Sequence, residues 1–189
     1  WLDFGCGTGG LVDYCRREVG VDAVGHEEGW AADQARLRGV PMLDEDELRA
    51  QEGTFDVVTA IEVMEHIADP VDALRGLRRL LHPDGLLFLT TGNAQPHRGR
   101  IDRWAYVIPE IHVSFFEPRT MATAMERAGF RAQYVGYRGG FTDVIRFKLL
   151  KNLRVNARSR VEAALPWSPI ARLADRRYGV SAHPVGWAR

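Results

Sequence analysis

Leu2-Asp3-Phe4-Gly5-Cys6-Gly7-Thr8-Gly9-Gly10 is the stretch on which the reading of the fold turns. Trp1 to Phe4 is apolar apart from Asp3 and predicts a short buried strand. It runs straight into glycines at alternate positions. Beyond them, Leu11, Val12, Cys15 and Val19 fall on roughly one face of a predicted helix over 11–19. Strand, glycine loop and helix in that order make a nucleotide-type turn, because glycine permits backbone angles and a close backbone approach that a β-carbon forbids. Alone, the pattern also describes an ordinary glycine-rich turn. The continuation strengthens the binding reading: residues 22–25 predict a second strand, and Glu27 stands 22 positions after Gly5. That is near the spacing of about 20 at which a carboxylate meets ribose hydroxyls.

Outward from this unit, short apolar runs alternate with amphipathic stretches. Strands are predicted at 40–43, 55–60, 86–90 and 130–137, and helices at 29–38, 44–50, 71–81 and 116–128, the last closed by Gly129. Val63 to Ile67 reads as a helical turn stopped by Asp69-Pro70, and His82-Pro83-Asp84-Gly85 as a tight turn. The fold class expected is α/β: a Rossmann-like, doubly wound, mostly parallel seven-stranded sheet with helices on both faces. Residues 181–188 suggest the seventh strand, expected to be truncated. Residues 1–140 form the expected binding core, and 141–189 a basic helical extension and terminal strand of the same domain.

At 189 residues, the length suits one compact domain. Lys plus Arg and Asp plus Glu each number 25, so the net charge of zero offers no global argument for nucleic acid or an anionic membrane as partner. Cys6 and Cys15 are too few for a disulfide framework and lack metal-type spacing, so reduced thiols in the cytoplasm are the default. No apolar run approaches the roughly 18–20 residues that span a bilayer, and no signal peptide is visible. The chain begins at Trp1, directly on its first strand, which leads to the expectation that an N-terminal segment has been lost.

Two cofactor classes share the glycine-loop geometry. Dinucleotide enzymes place a pyrophosphate on the helix N-terminus. Asp3, two residues ahead of the first glycine, would repel that anion but suits a cofactor carrying a sulfonium and an α-ammonium group. An NAD-dependent oxidoreductase is therefore disfavoured.

At this point the chain resembles the class I S-adenosylmethionine-dependent methyltransferases. Leu2 to Gly9 resembles their first motif, and Val24-Gly25-His26-Glu27 their second. Phe55-Asp56-Val57-Val58 with Glu62-Val63-Met64-Glu65-His66 resembles the fourth strand and its exit. Leu80 to Leu87 resembles the turn before strand five, and Thr91-Gly92-Asn93 stands where many relatives have Thr-Pro-Asn. The resemblance runs from Trp1 to about Tyr137. It implies S-adenosyl-L-methionine as cofactor, with Asp3, Gly5, Gly7 and Gly9 lining its methionine end and Glu27 holding the ribose. Asp44 or a neighbour would reach the adenine amine, although the third-strand region departs from the usual Gly-Asp-Ala pattern. Ile61 would pack near the cofactor, and Trp30 either covers the adenine or ribose or is a packing residue.

Glu62, Glu65 and His66 stand at i, i+3 and i+4, one face if helical, at the C-terminal end of a central strand where open α/β sheets bind ligands. Two carboxylates and an imidazole suit Mg or Mn, the histidine tilting the set toward Mn or Zn. The Glu-x-x-Glu-His pattern resembles both the ubiquinone-biosynthesis O-methyltransferases and the small-RNA 2′-O-methyltransferases. In the latter a later histidine also binds metal, and His112 occupies a comparable place. In many relatives Glu-His only holds the loop and cofactor. Without metal, His112 or His66 is a candidate general base, His112 preferred because the polar, aromatic segment 95–109 before it, with Trp104 and Tyr106, reads as substrate-facing.

The resemblance favours methyl transfer to oxygen of a small-molecule acceptor: quinone-like, a sugar or a secondary metabolite. An RNA 2′-hydroxyl is the enzyme alternative, and a non-catalytic cofactor-binding scaffold the alternative of another class. Basic residues from Arg146 to Arg160 alternate with apolar ones. That pattern suits a solvated helix covering the sheet, or an amphipathic helix over 144–160 resting peripherally on a membrane surface. No array of stacking aromatics supports RNA binding.

Overall fold

The central strand β1 (Leu2–Phe4) is flanked by β2 (Val24–His26) and β4 (Phe55–Ile61), with β3 (Met42–Leu43) outside β2 and β5 (Leu81–Thr90) outside β4. In this computed structural model, which describes residues 1–104, 106–135, 165–170, 173 and 185–188, these five strands are parallel. β6 (Ala132–Val135) and β7 (Val185–Ala188) complete a seven-stranded sheet of order β3-β2-β1-β4-β5-β7-β6, with β7 antiparallel to both neighbours. The strand expected to be cut short thus pairs along four residues with β5 and with β6.

The helices are α1 (Gly10–Tyr14), α2 (Gly29–Leu37), α3 (Glu45–Arg49), α4 (Pro70–Leu80) and α5 (Pro118–Arg127). The single helix expected over 11–19 is α-helical only to Tyr14 and widens into a π-helical turn over Cys15–Val19. α4 begins where Asp69 accepts a hydrogen bond from the Asp72 backbone at 3.0 Å and Pro70 occupies the first turn. Its Leu74, Leu77 and Leu80 are buried. At about 2 kcal/mol each, these leucines outweigh the roughly 1 kcal/mol that Gly76 costs inside a helix. Residues 82–85, expected as a tight turn, lie within β5 as a bulge: Leu81 pairs with Phe55 and Leu86 with Val57, so the ladder's register shifts there.

Both faces of the sheet are covered. Leu2, Val58, Ala60, Leu87 and Leu89 pack with residues of α3, α4 and α5, whereas Val12, Cys15, Ala35 and Val40 form a second cluster with α1 and α2. The chain divides into two compact units, Trp1–Val135 with Pro184–Arg189, and Gly136–His183. The basic segment 144–160 lies outside the described residues. Among those described, no helix is long and apolar enough to cross a membrane.

Candidate functional site: a glycine cradle beside a carboxylate and histidine cluster

Parallel pairing sets Asp3 opposite Gly25 on one side and Thr59 on the other. The Asp3 carboxylate is buried and accepts a 2.6 Å hydrogen bond from the Thr59 hydroxyl, which in turn accepts the Trp1 indole N–H at 3.1 Å. Gly5, Gly7 and Gly9, all at positive φ, carry the backbone from β1 to α1. Glu27, one residue past β2, reaches back to this loop, accepting hydrogen bonds from the Gly7 N–H and the Glu28 N–H, both at 2.9 Å.

The electrostatic character of the cradle is negative. Burial is the main cause that pushes the Cys6 thiol up to about 12, and the charges of Asp3 and Glu27 add to it. Burial likewise raises the Asp3 pKa, with the Thr59 hydrogen bond opposing and the Glu27 charge assisting. A β-carbon at Gly7 would meet no described heavy atom within 4 Å, so the loop faces open space there, with the Glu27 carboxylate on its backbone. These residues fit a cationic cofactor with a ribose.

Asp3 thereby links stability to pH. A carboxyl whose folded pKa is raised contributes stability that is full below its ordinary value of 3.8 and lost as pH rises through the folded value. Asp3→Asn is expected to raise the melting temperature of the ligand-free chain by roughly 2–4 °C at pH 7, with the gain shrinking toward pH 4. The same substitution shrinks the melting shift produced by S-adenosylhomocysteine. A lower melting temperature at pH 7 would mean that the ionised carboxylate is a net stabiliser.

Two further residues expected to contact the cofactor lie at strand ends, Asp44 after β3 and Ile61 at the end of β4. Asp44 caps α3 in a reciprocal pair, its side chain accepting the Glu47 N–H at 2.8 Å while Glu47 accepts the Asp44 N–H at 2.9 Å. Ile61 ends β4 and is partly exposed. Trp30, on the first turn of α2, is 74% exposed, which excludes the packing role for its ring among the described residues.

The second half of the site begins where the first touches it: a β-carbon on Gly5 would lie 2.4 Å from Cγ2 of Val63. Glu62, Glu65 and His66 do not share an α-helical face as expected. Glu62 adopts φ 55°, with its N–H still bonded to the Thr90 carbonyl at 2.9 Å, and a short 3-10 turn follows over Met64–His66. The buried Glu65 carboxylate accepts the Thr91 hydroxyl at 2.8 Å and contacts the Tyr106 hydroxyl. Glu62 accepts the Thr90 hydroxyl at 2.9 Å and lies 2.8 Å from the same Tyr106 oxygen.

His66 donates through Nδ1 to the Ile111 carbonyl at 3.0 Å and meets His112 edge-on, ring centroids 4.8 Å apart. His112 is only 9% exposed, and its Nδ1 has no hydrogen-bond partner among the described residues. One ligand atom each from Glu65, His66 and His112 lies within 4.8 Å of the others. Glu62 is not in that group. The Tyr106 hydroxyl meets both carboxylates, and Trp104 stacks between the Tyr106 and His97 rings at 4.7 and 4.6 Å. The sequence reading singles out neither Thr59 nor Thr90, and it includes Thr91 only within the Thr91-Gly92-Asn93 stretch, without its bond to Glu65. The only available signal was their place opposite β1 or at the end of β5.

Residues 1–135 match the family model described as a methyltransferase domain. The chain belongs to the methyltransferase-domain family of S-adenosylmethionine-dependent enzymes. Among curated relatives, it is 34% identical over 105 residues to the ubiquinone biosynthesis O-methyltransferase of Pseudomonas aeruginosa, a match covering 50% of this chain and 45% of that protein. The chain thus spans about half the length of the curated relatives it matches. Among solved structures, it is similar to Haemonchus contortus phosphoethanolamine N-methyltransferase 2 in complex with S-adenosyl-L-methionine. The TM-score is 0.64 at 15% identity, over 99% of this chain and 47% of that one. An S-adenosylmethionine-dependent methyltransferase from Mesorhizobium loti gives 0.64 at 15% identity, over 100% and 89%. Likeness at that identity concerns the fold alone.

Proposed function

We propose that this chain moves a methyl group from S-adenosyl-L-methionine to an oxygen atom of a small, ubiquinone-like hydroxylated acceptor. The supporting observation is the seam between Gly5 and Val63, which sets the cofactor cradle against the turn bearing Glu65 and His66. The curated relatives' names support the choice of oxygen and of acceptor class. When bound, the cofactor supplies an electrophilic methyl group on a charged sulfur. Glu27 holds the ribose, and Asp3 offsets the positive charge at the methionine end. Much of the rate comes from holding acceptor and methyl donor in line.

The general-base role falls on His66 in preference to His112. The Ile111 carbonyl fixes the proton on Nδ1 of His66, which leaves its Nε2 lone pair to accept the acceptor's proton. A second reading adds Mg or Mn. The grouping of Glu65, His66 and His112, with the unpaired Nδ1 of His112, favours it. Such an ion would lower the pKa of the acceptor hydroxyl.

The test is calorimetric titration of S-adenosylmethionine and S-adenosylhomocysteine, followed by methyl transfer to dihydroxybenzene acceptors and to an RNA oligonucleotide, with and without Mn. Transfer to the phenolic acceptor, lowered at least tenfold in kcat by His66→Gln, is the expected result. Transfer only to RNA would move the acceptor to a 2′-hydroxyl. Cofactor binding with no acceptor methylated would point to a scaffold.

A further inference from the structure

We infer that Tyr106 is a built-in competitor for a divalent cation at the Glu65, His66 and His112 cluster, occupying the point where the Glu62 and Glu65 carboxylates converge. This rests on the metal-assisted reading above. The Tyr106 oxygen contacts Glu65 Oε1, lies 2.8 Å from Glu62 Oε2 and accepts the Gly92 N–H at 3.0 Å. A phenol has one proton to donate. One carboxylate therefore faces an oxygen lone pair. Two carboxylate oxygens meeting at one point suit a hard cation better than a neutral hydroxyl.

Glu62 lies outside the three-residue group, its two oxygens held by Tyr106 and Thr90. His112 supplies an independent sign that a ligand is accommodated here. Its ring lies 4.8 Å from that of Tyr106, and Nδ1 is unpaired on a side chain nine-tenths buried. An unsatisfied buried nitrogen is costly, and ligation would satisfy it. The tyrosine is also tied to the segment before it. A β-carbon at Gly92 would lie 2.4 Å from Tyr106 Cε1 and 2.7 Å from Trp104 Cη2. Glycine is thus what lets this aromatic pair seat on the cluster. Displacing Tyr106 unstacks Trp104, so an ion arriving at Glu65 would release the aromatic segment and let Glu62 join the ligands.

The test is Mn(II) titration followed by electron paramagnetic resonance of the free ion, on the full chain with and without S-adenosylhomocysteine. Wild type, Tyr106→Phe and the double variant Tyr106→Phe with His112→Gln are compared. Tyr106→Phe is expected to bind Mn(II) about tenfold more tightly than wild type, and the double variant to lose that gain. Equal or weaker binding by Tyr106→Phe would overturn the inference, assigning the phenol a supporting role. Mn(II) binding by none of the three would also overturn it. S-adenosylhomocysteine affinity measured on the same samples separates that failure from failure of the methyltransferase reading.

Discussion

Glu27→Ala is expected to weaken S-adenosylhomocysteine binding by at least about a hundredfold while leaving the chain folded. Both carboxylate oxygens are already fixed by backbone donors, Gly7 N–H and Glu28 N–H. The side chain is thus aimed before any ligand arrives, and little ordering entropy opposes binding. Two ribose hydroxyls donating to a charged acceptor contribute about 1.5–3 kcal/mol each, and each 1.4 kcal/mol is about tenfold in affinity. Removing the carboxylate also frees the Gly7 N–H, so the loop loses a tether along with the ligand contact. Glu27→Gln separates the two, since an amide oxygen can still accept from Gly7 but lacks the charge. An intermediate affinity for Glu27→Gln is expected by calorimetry. If Glu27→Ala binds as wild type, the ribose lies elsewhere and the cradle has been assigned to the wrong ligand.

The sheet was legible from sequence because buried parallel strands must be apolar on both sides, as Val57 and Val58 are, and because amphipathic stretches such as α4 repeat leucine at helical spacing. The cofactor half was legible for a related reason. It is built from one turn and the end of the next strand, so Asp3, Gly5, Gly7, Gly9 and Glu27 are close in sequence. The other half depends on tertiary distance. Nothing local says that Tyr106 returns 41 residues to Glu65, or that Glu62 takes a left-handed backbone angle few non-glycine residues adopt. The Asp44 case is different. Asp44-Glu45-Asp46-Glu47 carries the acid-x-x-Glu spacing of a reciprocal helix cap, and that role is the one seen in the structure. The π-helical turn after α1 had no sequence sign at all, since its apolar residues keep helical spacing.

Gly5 and Gly7 offer the sharpest separation of fold from function, because both have positive φ but face different surroundings. At Gly7, φ is 55° and an added β-carbon points into space free of described atoms. Gly7→Val therefore costs the backbone strain of a left-handed residue, about 1–2 kcal/mol, or roughly 2–8 °C in melting temperature. Its methyl groups, however, fill the volume above the loop, and S-adenosylhomocysteine affinity is expected to fall more than a hundredfold. At Gly5, φ is 71° and the β-carbon would sit 2.4 Å from Val63 Cγ2 and 3.3 Å from Cγ1. Gly5→Ala adds overpacking of about 1–3 kcal/mol to the same strain, so its melting temperature should fall by roughly 4–20 °C. Pairing Gly5→Ala with Val63→Ala removes the clash but not the strain, and should recover part of that loss. Calorimetry and thermal denaturation on the same preparations read both quantities. A Gly7→Val chain that binds the cofactor normally would show that the open face of the loop is not where the methionine end lies. A Gly5→Ala chain as stable as wild type would mean that Val63 yields, and that the seam between cradle and cluster is loose enough to move during turnover.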